Sequence, residues 1–278
     1  MTFDPTIIAS YAMADVQPGT WDDTDPESAG GYIADEGDGV PMGLAFVQFS
    51  AGAEFDFVWP YDEVSIVTRG SVSIRSGGEL LTAREGEVLT QPRGVPGRFE
   101  IAEDMEMICV HYPTFARAFG MRVHEHHTIA EGGTDQPEPD VHPRGPEHAG
   151  GFYDPTRMQV FRISDLSRWI DVDAEQGSAV AYIADAADGA PFGLAFSDFR
   201  RGGVYDLVFA YDEVAAITKG AFTVRSQGRE FTAHAGQLLY MPKDVSAVFE
   251  IEQDTITVGV HYPTYQEAYG VPPQGVDS

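Results

Sequence analysis

The chain contains the same sequence twice, and this repetition limits what it can fold into. Residues 31–120 reappear as residues 181–270 at a constant offset of 150, and about 41 of the 90 aligned positions are identical without a gap. A period near 150 residues is the length of a whole domain, whereas solenoid repeats have periods of about 20 to 50 residues. The sequence therefore predicts two tandem domains of the same fold.

The two copies are separated by a stretch of different composition. Over residues 131–157 the chain is dominated by Gly, Pro, Asp, Glu and His, which break any hydrophobic period and predict an exposed linker. We therefore expect an N-terminal domain over residues 1–130 and a C-terminal domain over residues 158–278.

Within each copy the hydrophobic period is two, in short runs separated by Gly and Pro. Seven or eight such runs per copy, with almost no helix, predict an all-β fold built from a small antiparallel sandwich or barrel. One helical pattern over residues 113–130 has a shorter counterpart over residues 265–269, which ends at Gly270. The predicted strands of the first copy are Glu54–Trp59, Val64–Thr68, Ser71–Arg75, Glu79–Ala83, Val88–Gln91, Arg98–Ile101 and Met105–Tyr112.

The charge and the cysteine content of the chain restrict the partners and the cellular compartment that are expected. The chain has 44 Asp and Glu against 17 Lys and Arg, a formal net charge of −27, so nucleic acid and anionic lipid surfaces are not expected as partners. Cys109 is the single cysteine, which excludes an intrachain disulfide and fits a reducing compartment. Residues 1–19 lack the basic region of a signal peptide, and no run approaches the roughly 18 apolar residues of a membrane span. The sequence thus predicts a cytoplasmic protein with no membrane partner.

Two motifs in each copy resemble the signature of the cupins. In the first copy Glu63 is followed after six residues by Gly70, and later by Gly-Glu-Val-Leu-Thr-Gln-Pro-Arg-Gly at residues 86–94. These match a strand glutamate, a turn glycine and a G-x5-P-x-G turn. The same pattern returns 150 residues later, with Asp244 in place of the last glycine. The resemblance implies a bicupin, that is, two tandem cupin-type jelly-roll β-barrels.

Within the cupins the chain is similar to the ethanolamine-utilisation family. The resemblance rests on Tyr-Asp-Glu-Val at residues 61–64, the Pro-Arg or Pro-Lys turn, and the aromatic-proline ending at residues 112–113. It implies a place in ethanolamine catabolism, and acetate kinase-type activity has been ascribed to that family. Because the chain has no recognisable nucleotide-binding loop, neither phosphoryl transfer nor a nucleotide cofactor is expected.

The histidines that hold the metal in metal-binding cupins are missing. The resemblance places two of them three or four residues before the strand glutamate and another after the P-x-G turn. With a three-residue spacer the positions hold Phe57, Trp59 and Gly97 in the first copy and Leu207, Phe209 and Ala247 in the second; with a four-residue spacer they hold Asp56, Val58, Asp206 and Val208. Carboxylates without an imidazole make a poor transition-metal site, so no metal is expected at the usual cupin position.

A separate group of histidines lies in and before the linker. Its spacing resembles no structural zinc pattern, because adjacent histidines point apart. A solvated linker is the expected state, and metal binding by a His-rich tract is the alternative. The group consists of His124, His126, His127, His142 and His148.

Each barrel is expected to hold a glutamate suited to proton transfer. Glu63 lies on the strand face that the resemblance places inside the barrel, beside Phe57 and Trp59. Desolvation there raises the pKa of a carboxyl and suits it to general acid or base catalysis. Glu213 occupies the same place in the second copy. The alternative is that each glutamate caps backbone groups or pairs with an arginine.

A histidine on the last strand of each copy is the second candidate group. One face of that strand carries Met105, Met107, Cys109 and His111, and in the second copy Thr255, Thr257, Gly259 and His261. Such small, sulfur-containing and polar side chains are expected to line a pocket instead of the core between sheets. A histidine there supplies a group that titrates near neutrality, and a satisfied structural histidine is the alternative.

Two functional hypotheses follow. In the first, the bicupin acts on a small polar metabolite by acid/base chemistry, as a lyase, isomerase or hydrolase, with Glu63/His111 and Glu213/His261 as the couples. In the second, it is a non-catalytic ligand-binding or accessory cupin of a catabolic pathway such as ethanolamine utilisation. The two similar domains are expected to pack as a pair about a pseudo-two-fold axis, because similar patches favour two-fold contacts. A homodimer is possible, and the sequence leaves the oligomeric state open. The expected ligand-lining residues are Phe57, Trp59, Tyr61, Cys109, Leu207, Phe209 and Tyr211.

Overall fold

The computed structural model describes residues 3–16, 28–120 and 152–273. The predicted linker lies outside these ranges up to residue 151, and so do the histidines at 124, 126, 127, 142 and 148. The described residues divide into two compact units. None of their helices is both long and apolar enough to cross a membrane.

Short strands make up just over half of the described residues. The first repeat contributes β1 (Ala9–Tyr11), β2 (Ser28–Ala34), β3 (Gly43–Phe49), β4 (Glu54–Val58), β5 (Asp62–Arg69), β6 (Ser71–Ser76), β7 (Glu79–Arg84), β8 (Val88–Gln91), β9 (Pro96–Glu100), β10 (Met105–Tyr112) and the helix α1 (Phe115–Phe119). The second contributes β11 (Gln159–Phe161), β12 (Ile170–Asp173), β13 (Ser178–Ala184), β14 (Gly193–Phe199), β15 (Val204–Leu207), β16 (Asp212–Lys219), β17 (Ala221–Ser226), β18 (Arg229–His234), β19 (Leu238–Met241), β20 (Ala247–Ile251), β21 (Thr255–Tyr262) and the helix α2 (Tyr265–Tyr269).

Each unit consists of two antiparallel sheets. The first unit has a six-stranded sheet of order β11-β8-β5-β10-β3-β2 and a four-stranded sheet of order β4-β9-β6-β7. The second unit has a seven-stranded sheet of order β1-β19-β16-β21-β14-β13-β12 and a four-stranded sheet of order β15-β20-β17-β18. The predicted all-β fold of two tandem barrels is confirmed.

The strands predicted for the first copy are all present, with ends within two residues of the prediction. The pattern did not indicate β2 or β3. β3 is buried on both faces, so its sequence does not alternate between apolar and polar residues. The predicted helix over 113–130 is shorter in the described residues: α1 ends at Gly120, which adopts a left-handed φ of 69°. The predicted end of α2 at Gly270 is confirmed, with a φ of 73°.

Each unit contains one strand from the opposite repeat. β1 pairs with β19 in the second unit, and β11 pairs with β8 in the first. The residue before each exchanged strand packs in the same unit as the strand. Ile8 belongs to the apolar core of the second unit, and Met158 belongs to that of the first. The repetition thus begins at Asp-Pro-Thr, at residues 4–6 and 154–156. The predicted domain boundaries, which follow the repeat, do not include this exchange.

Substituting Ile8 tests the exchange. Ile8→Ala should lower the free energy of unfolding by about 2–5 kcal/mol, because it removes a buried side chain from a packed core. Amide exchange of the full-length protein, followed by mass spectrometry, should show the lost protection in β19 and β16. The matched Met158→Ala variant should lose protection in β8 and β5. Loss confined to the repeat that carries the substitution would contradict the exchange.

An apolar core fills the space between the two sheets of each unit. In the first unit β10 contributes Met105, Met107 and Cys109 to the same buried cluster as Phe99 of the opposite sheet. The prediction that these three side chains line a pocket is therefore wrong, since they are apolar enough to fill the space between sheets. His111 lies at the end of the strand, beyond them.

Candidate functional site

Glu63 and His111 are neighbours across two strands at one end of the first barrel. They stand directly opposite each other on β5 and β10, and His111 stands opposite Gly43 of β3 on its other side. A Cβ on Gly43 would lie 2.0 Å from Cε1 of His111, so the missing side chain provides the space for the imidazole. Gly193 plays the same part in the second copy.

The carboxyl group of Glu63 belongs to a closed polar network. Its Oε1 accepts hydrogen bonds from Ser65 Oγ at 2.8 Å and from Gln91 Nε2 at 2.9 Å. The indole N–H of Trp59 donates to Gln91 Oε1 at 2.9 Å and thereby orients the amide. The partners are the side chains of a serine, a glutamine and Cys109. They are neither the arginine nor the backbone groups of the alternative prediction.

Burial raises the pKa of Glu63 to about 7, although hydrogen bonds from Ser65, Cys109 and Gln91 act in the opposite direction. The residue is only 3% exposed. Glu63 therefore changes its charge near neutral pH, but in a place that solvent barely reaches.

Both ring nitrogens of His111 are engaged away from Glu63. Nδ1 lies 2.9 Å from the carbonyl oxygen of Pro113, and because that oxygen can only accept, Nδ1 carries the proton. Nε2 then accepts from the hydroxyl of Tyr32 at 3.2 Å. Tyr61 stacks on the imidazole with a centroid distance of 4.1 Å. Burial lowers the pKa of His111 to about 4, so it is neutral at pH 7.

In the second barrel the glutamate and the histidine are in contact. Nδ1 of His261 lies 3.3 Å from Oε2 of Glu213, and Nε2 of His261 is buried without a hydrogen-bond partner. Tyr211 stacks on the imidazole at 4.1 Å, as Tyr61 does in the first barrel. The side chain of Glu213 is 11% exposed and that of His261 2%, so Glu213 is the member of the pair that solvent reaches.

Three substitutions between the repeats account for this difference. Ser65, Gln91 and Cys109 of the first copy are replaced by Ala215, Met241 and Gly259 in the second. The replacements remove the donors that hold the first carboxyl. A Cβ on Gly259 would lie 2.2 Å from Oε1 of Glu213, so Glu213 extends over Gly259 on its way to His261.

The other predicted ligand-lining residues fall into two groups. Aromatic side chains surround the imidazoles: Trp59 stacks on Tyr61 at 5.0 Å, and Phe209 stacks on Tyr211 at 5.4 Å. The remaining predicted residues pack in or against the apolar cores, namely Phe57, Cys109 and Leu207. The sequence prediction missed Tyr32, although its segment Tyr-Ile-Ala-Asp is repeated as residues 182–185.

A helix after the last strand covers the end of each barrel. In the first barrel Phe115 of α1 is buried in an apolar cluster with Tyr61. In the second barrel the corresponding residue is Tyr265, which is only partly buried, and Tyr269 is 42% exposed while its ring contacts Tyr211 at 5.9 Å. The end of the second barrel is therefore more open and more polar.

A shallow groove of about 500 Å³ lies elsewhere on the first unit, around the hairpin between β6 and β7. Its two arginines are already paired, Arg75 with Glu100 and Arg98 with Glu54 and Asp56. The groove includes neither Glu63 nor His111. The acid/base groups, not this groove, are therefore the candidate site.

The residues at the usual cupin metal position do not fit a transition metal. A Cβ on Gly97 would lie 2.9 Å from Ile74 and Met158, and Ala247 lies in the apolar core of the second unit. Within the described ranges, no group of three or more His, Cys, Asp or Glu side chains is suited to hold a metal ion. Neither barrel offers, among its described residues, the imidazole and carboxylate set that such ions require.

We expect less than one equivalent of iron, manganese or zinc per barrel at this position. Elemental analysis of the purified protein measures the content directly. A stoichiometric metal that is lost from the Glu63→Gln or Glu213→Gln variant would contradict this expectation.

Comparison with known proteins places the chain in a family. The family model of the ethanolamine utilisation protein EutQ matches residues 15–116 and 161–267, that is, most of both repeats. The chain belongs to the EutQ family. Acetate kinase EutQ of Salmonella typhimurium is 29% identical over 99 residues, which cover 35% of this chain and 43% of that protein. The match thus spans less than half the length of this curated EutQ relative.

Solved structures share the fold of this EutQ-family chain at low sequence identity. Ylba from E. coli has a TM-score of 0.63 at 11% identity, covering 91% of this chain and 90% of that one. A cupin 2 conserved barrel domain protein from Leptotrichia buccalis has a TM-score of 0.56 at 9% identity, covering 90% and 98%. These likenesses establish the fold as a duplicated cupin.

Proposed function

We propose that this EutQ-family bicupin acts on a small polar metabolite by acid/base chemistry of the lyase, isomerase or hydrolase type. The observation that carries the proposal is the 3.3 Å contact between Glu213 Oε2 and His261 Nδ1, in which the carboxylate is the less buried member. A carboxylate held beside an imidazole can remove a proton from a substrate and return it at another position.

The two residues have different roles in this proposal. Glu213 meets the substrate, because its side chain is the one that solvent reaches. His261 positions the carboxylate through the contact at its Nδ1, and Tyr211 holds the imidazole by stacking. The unpartnered Nε2 of His261 supports a functional role, since a buried polar atom without a hydrogen bond is costly and rare in folded proteins.

A non-catalytic ligand-binding or accessory cupin is the second candidate, and the first barrel favours it. There the hydrogen bonds of Ser65 and Gln91 occupy Glu63, and Tyr32 and Pro113 occupy His111. A barrel in which both of these groups are satisfied fits a structural role. Acetate kinase activity belongs to the name of the Salmonella relative, and the short match to it does not support phosphoryl transfer here.

A thermal-shift screen tests the proposal and identifies the metabolite in the same experiment. Small hydroxy acids, keto acids, amino alcohols and sugars are added to wild type and to the Glu213→Gln and Glu63→Gln variants. We expect a metabolite that raises the Tm of wild type and of Glu63→Gln but not of Glu213→Gln, because a ligand that binds the native state stabilises it. Equal stabilisation of all three proteins would favour the accessory function instead.

A further inference from the structure

We infer that the second barrel alone forms a glutamate–histidine couple, and that Gly259 is the residue that positions it. The chemistry assigned to the couple rests on the proposed function, whereas the positioning rests on geometry alone. The two repeats act as an internal comparison, because the glutamate, the histidine and the stacking tyrosine are identical in both.

The size of the residue at position 259, or 109 in the first copy, decides where the glutamate side chain can lie. In the second barrel Oε1 of Glu213 occupies the place that a Cβ on Gly259 would take, with a separation of 2.2 Å. In the first barrel Cys109 fills the corresponding place, with its Sγ 3.6 Å from Ser65 Oγ. Any side chain at 259 therefore moves the carboxylate away from the path to His261.

The hydrogen bonds of the two histidines support the same assignment. His111 uses both ring nitrogens on partners other than Glu63. His261 has one nitrogen facing Glu213 and the other buried without a partner. The contact with Glu213 is therefore made in the barrel where the imidazole has no other hydrogen-bond partner, and it is missing where both ring nitrogens are engaged.

Access to the two barrels differs in the same direction. At the barrel end, Phe115 and Ala118 of the first copy are buried, whereas Tyr265 and Ala268 of the second are only partly buried. The hydroxyl of Tyr269 accepts a hydrogen bond from the backbone N–H of Ala210 at 3.2 Å, which ties α2 to the segment before β16. The more accessible barrel is thus the one that contains the couple.

Among the described residues that pack against His261, Glu213 is the one carboxyl group, and the other titratable groups are tyrosines. β13 supplies Tyr182, the segment before β16 supplies Tyr211, α2 supplies Tyr265 behind Tyr182, and β14 supplies Gly193, which has no side chain. Burial, followed by the charge of Glu213, raises the pKa of Tyr182 and of Tyr211, so both phenols stay neutral near pH 7.

Deuterium exchange at the imidazole carbon of each histidine tests the inference in the full-length protein. The rate is measured in deuterium oxide from pH 5 to 9 by peptide mass spectrometry, and it reports the ionisation of each imidazole. Gly259→Ala and Glu213→Gln should both change the rate at His261 by about three- to tenfold near neutral pH, because each separates the imidazole from a carboxylate charge. The alanine meets only the mobile end of Glu213, so the variant should fold.

The first barrel provides the matched control. Glu63→Gln should leave exchange at His111 as in wild type, because Glu63 is held by Ser65 and Gln91. An unchanged profile at His261 in Gly259→Ala, or an equal effect of Glu63→Gln at His111, would overturn the inference. If the exchange profiles change as expected but metabolites stabilise Glu213→Gln as well as wild type, the proposed function fails while the positioning by Gly259 stands.

Discussion

Replacing Glu213 by glutamine should lower the turnover of the metabolite found by thermal shift by about 10²- to 10⁴-fold. Glutamine keeps the shape of the side chain but cannot take up or release a proton. The side chain is 11% exposed and glutamine fills the same space, so folding should be little affected. Measured kcat and KM separate a lost proton transfer, which lowers kcat, from lost binding, which raises KM.

Glu63→Gln is the control for this rate experiment, because it makes the same chemical change in the closed barrel. We expect its kcat to stay near that of wild type. A loss as large as that of Glu213→Gln would show that the first barrel also reacts, which contradicts the division between the barrels.

Glu63→Gln should, however, increase stability at alkaline pH. Burial raises the pKa of Glu63 from 4.5 to about 7, so between these two values the folded protein holds a proton that the unfolded chain has released. The free energy of unfolding therefore decreases as the pH rises from about 4.5 to 7. The full shift of the pKa corresponds to about 3 kcal/mol. The free energy of unfolding of Glu63→Gln should therefore exceed that of wild type by about this amount at pH 8, and the excess should be absent at pH 4.

The effect of Glu63 on stability has to be measured by comparing wild type with Glu63→Gln, because His111 titrates in the same pH range with the opposite effect. Its pKa is lowered from 6.5 to about 4, so it removes stability as the pH falls through the same window and masks the effect of Glu63 in wild type. Denaturant unfolding of wild type and Glu63→Gln at several pH values gives the difference directly. A difference that does not vary with pH would contradict the shifted pKa of Glu63.

The sequence was sufficient for the number of domains and for most strands, but not for the exchanged strands. A constant offset of 150 predicts two domains, and period two predicts strands such as Val88–Gln91 with correct ends. β1 and β11 have three residues each, too few for a period to be recognised. Their exchange depends on which sheet edge is available, and that is a property of the fold.

The candidate site was predictable in its residues but not in its contacts. Because successive side chains of a strand point to opposite faces, the sequence predicts that Glu63 and His111 lie on the same side of the sheet. Which groups they bind depends on positions 65, 91 and 109, which lie on other strands or two residues away, and on the space left at Gly43 and Gly259. The repeated Gly-Leu-Ala-Phe segment was a signal for Gly43, because a glycine kept in a buried strand indicates close approach of another group.

A crystal structure of the protein with the stabilising metabolite tests the central claim most directly. We predict that the metabolite lies at the end of the second barrel, with a polar atom about 2.6–3.2 Å from the carboxylate of Glu213 and the ring of Tyr211 beside it. A metabolite bound instead at Glu63, or in the groove beside Arg75 and Arg98, with Glu213 and His261 left untouched, would contradict the account.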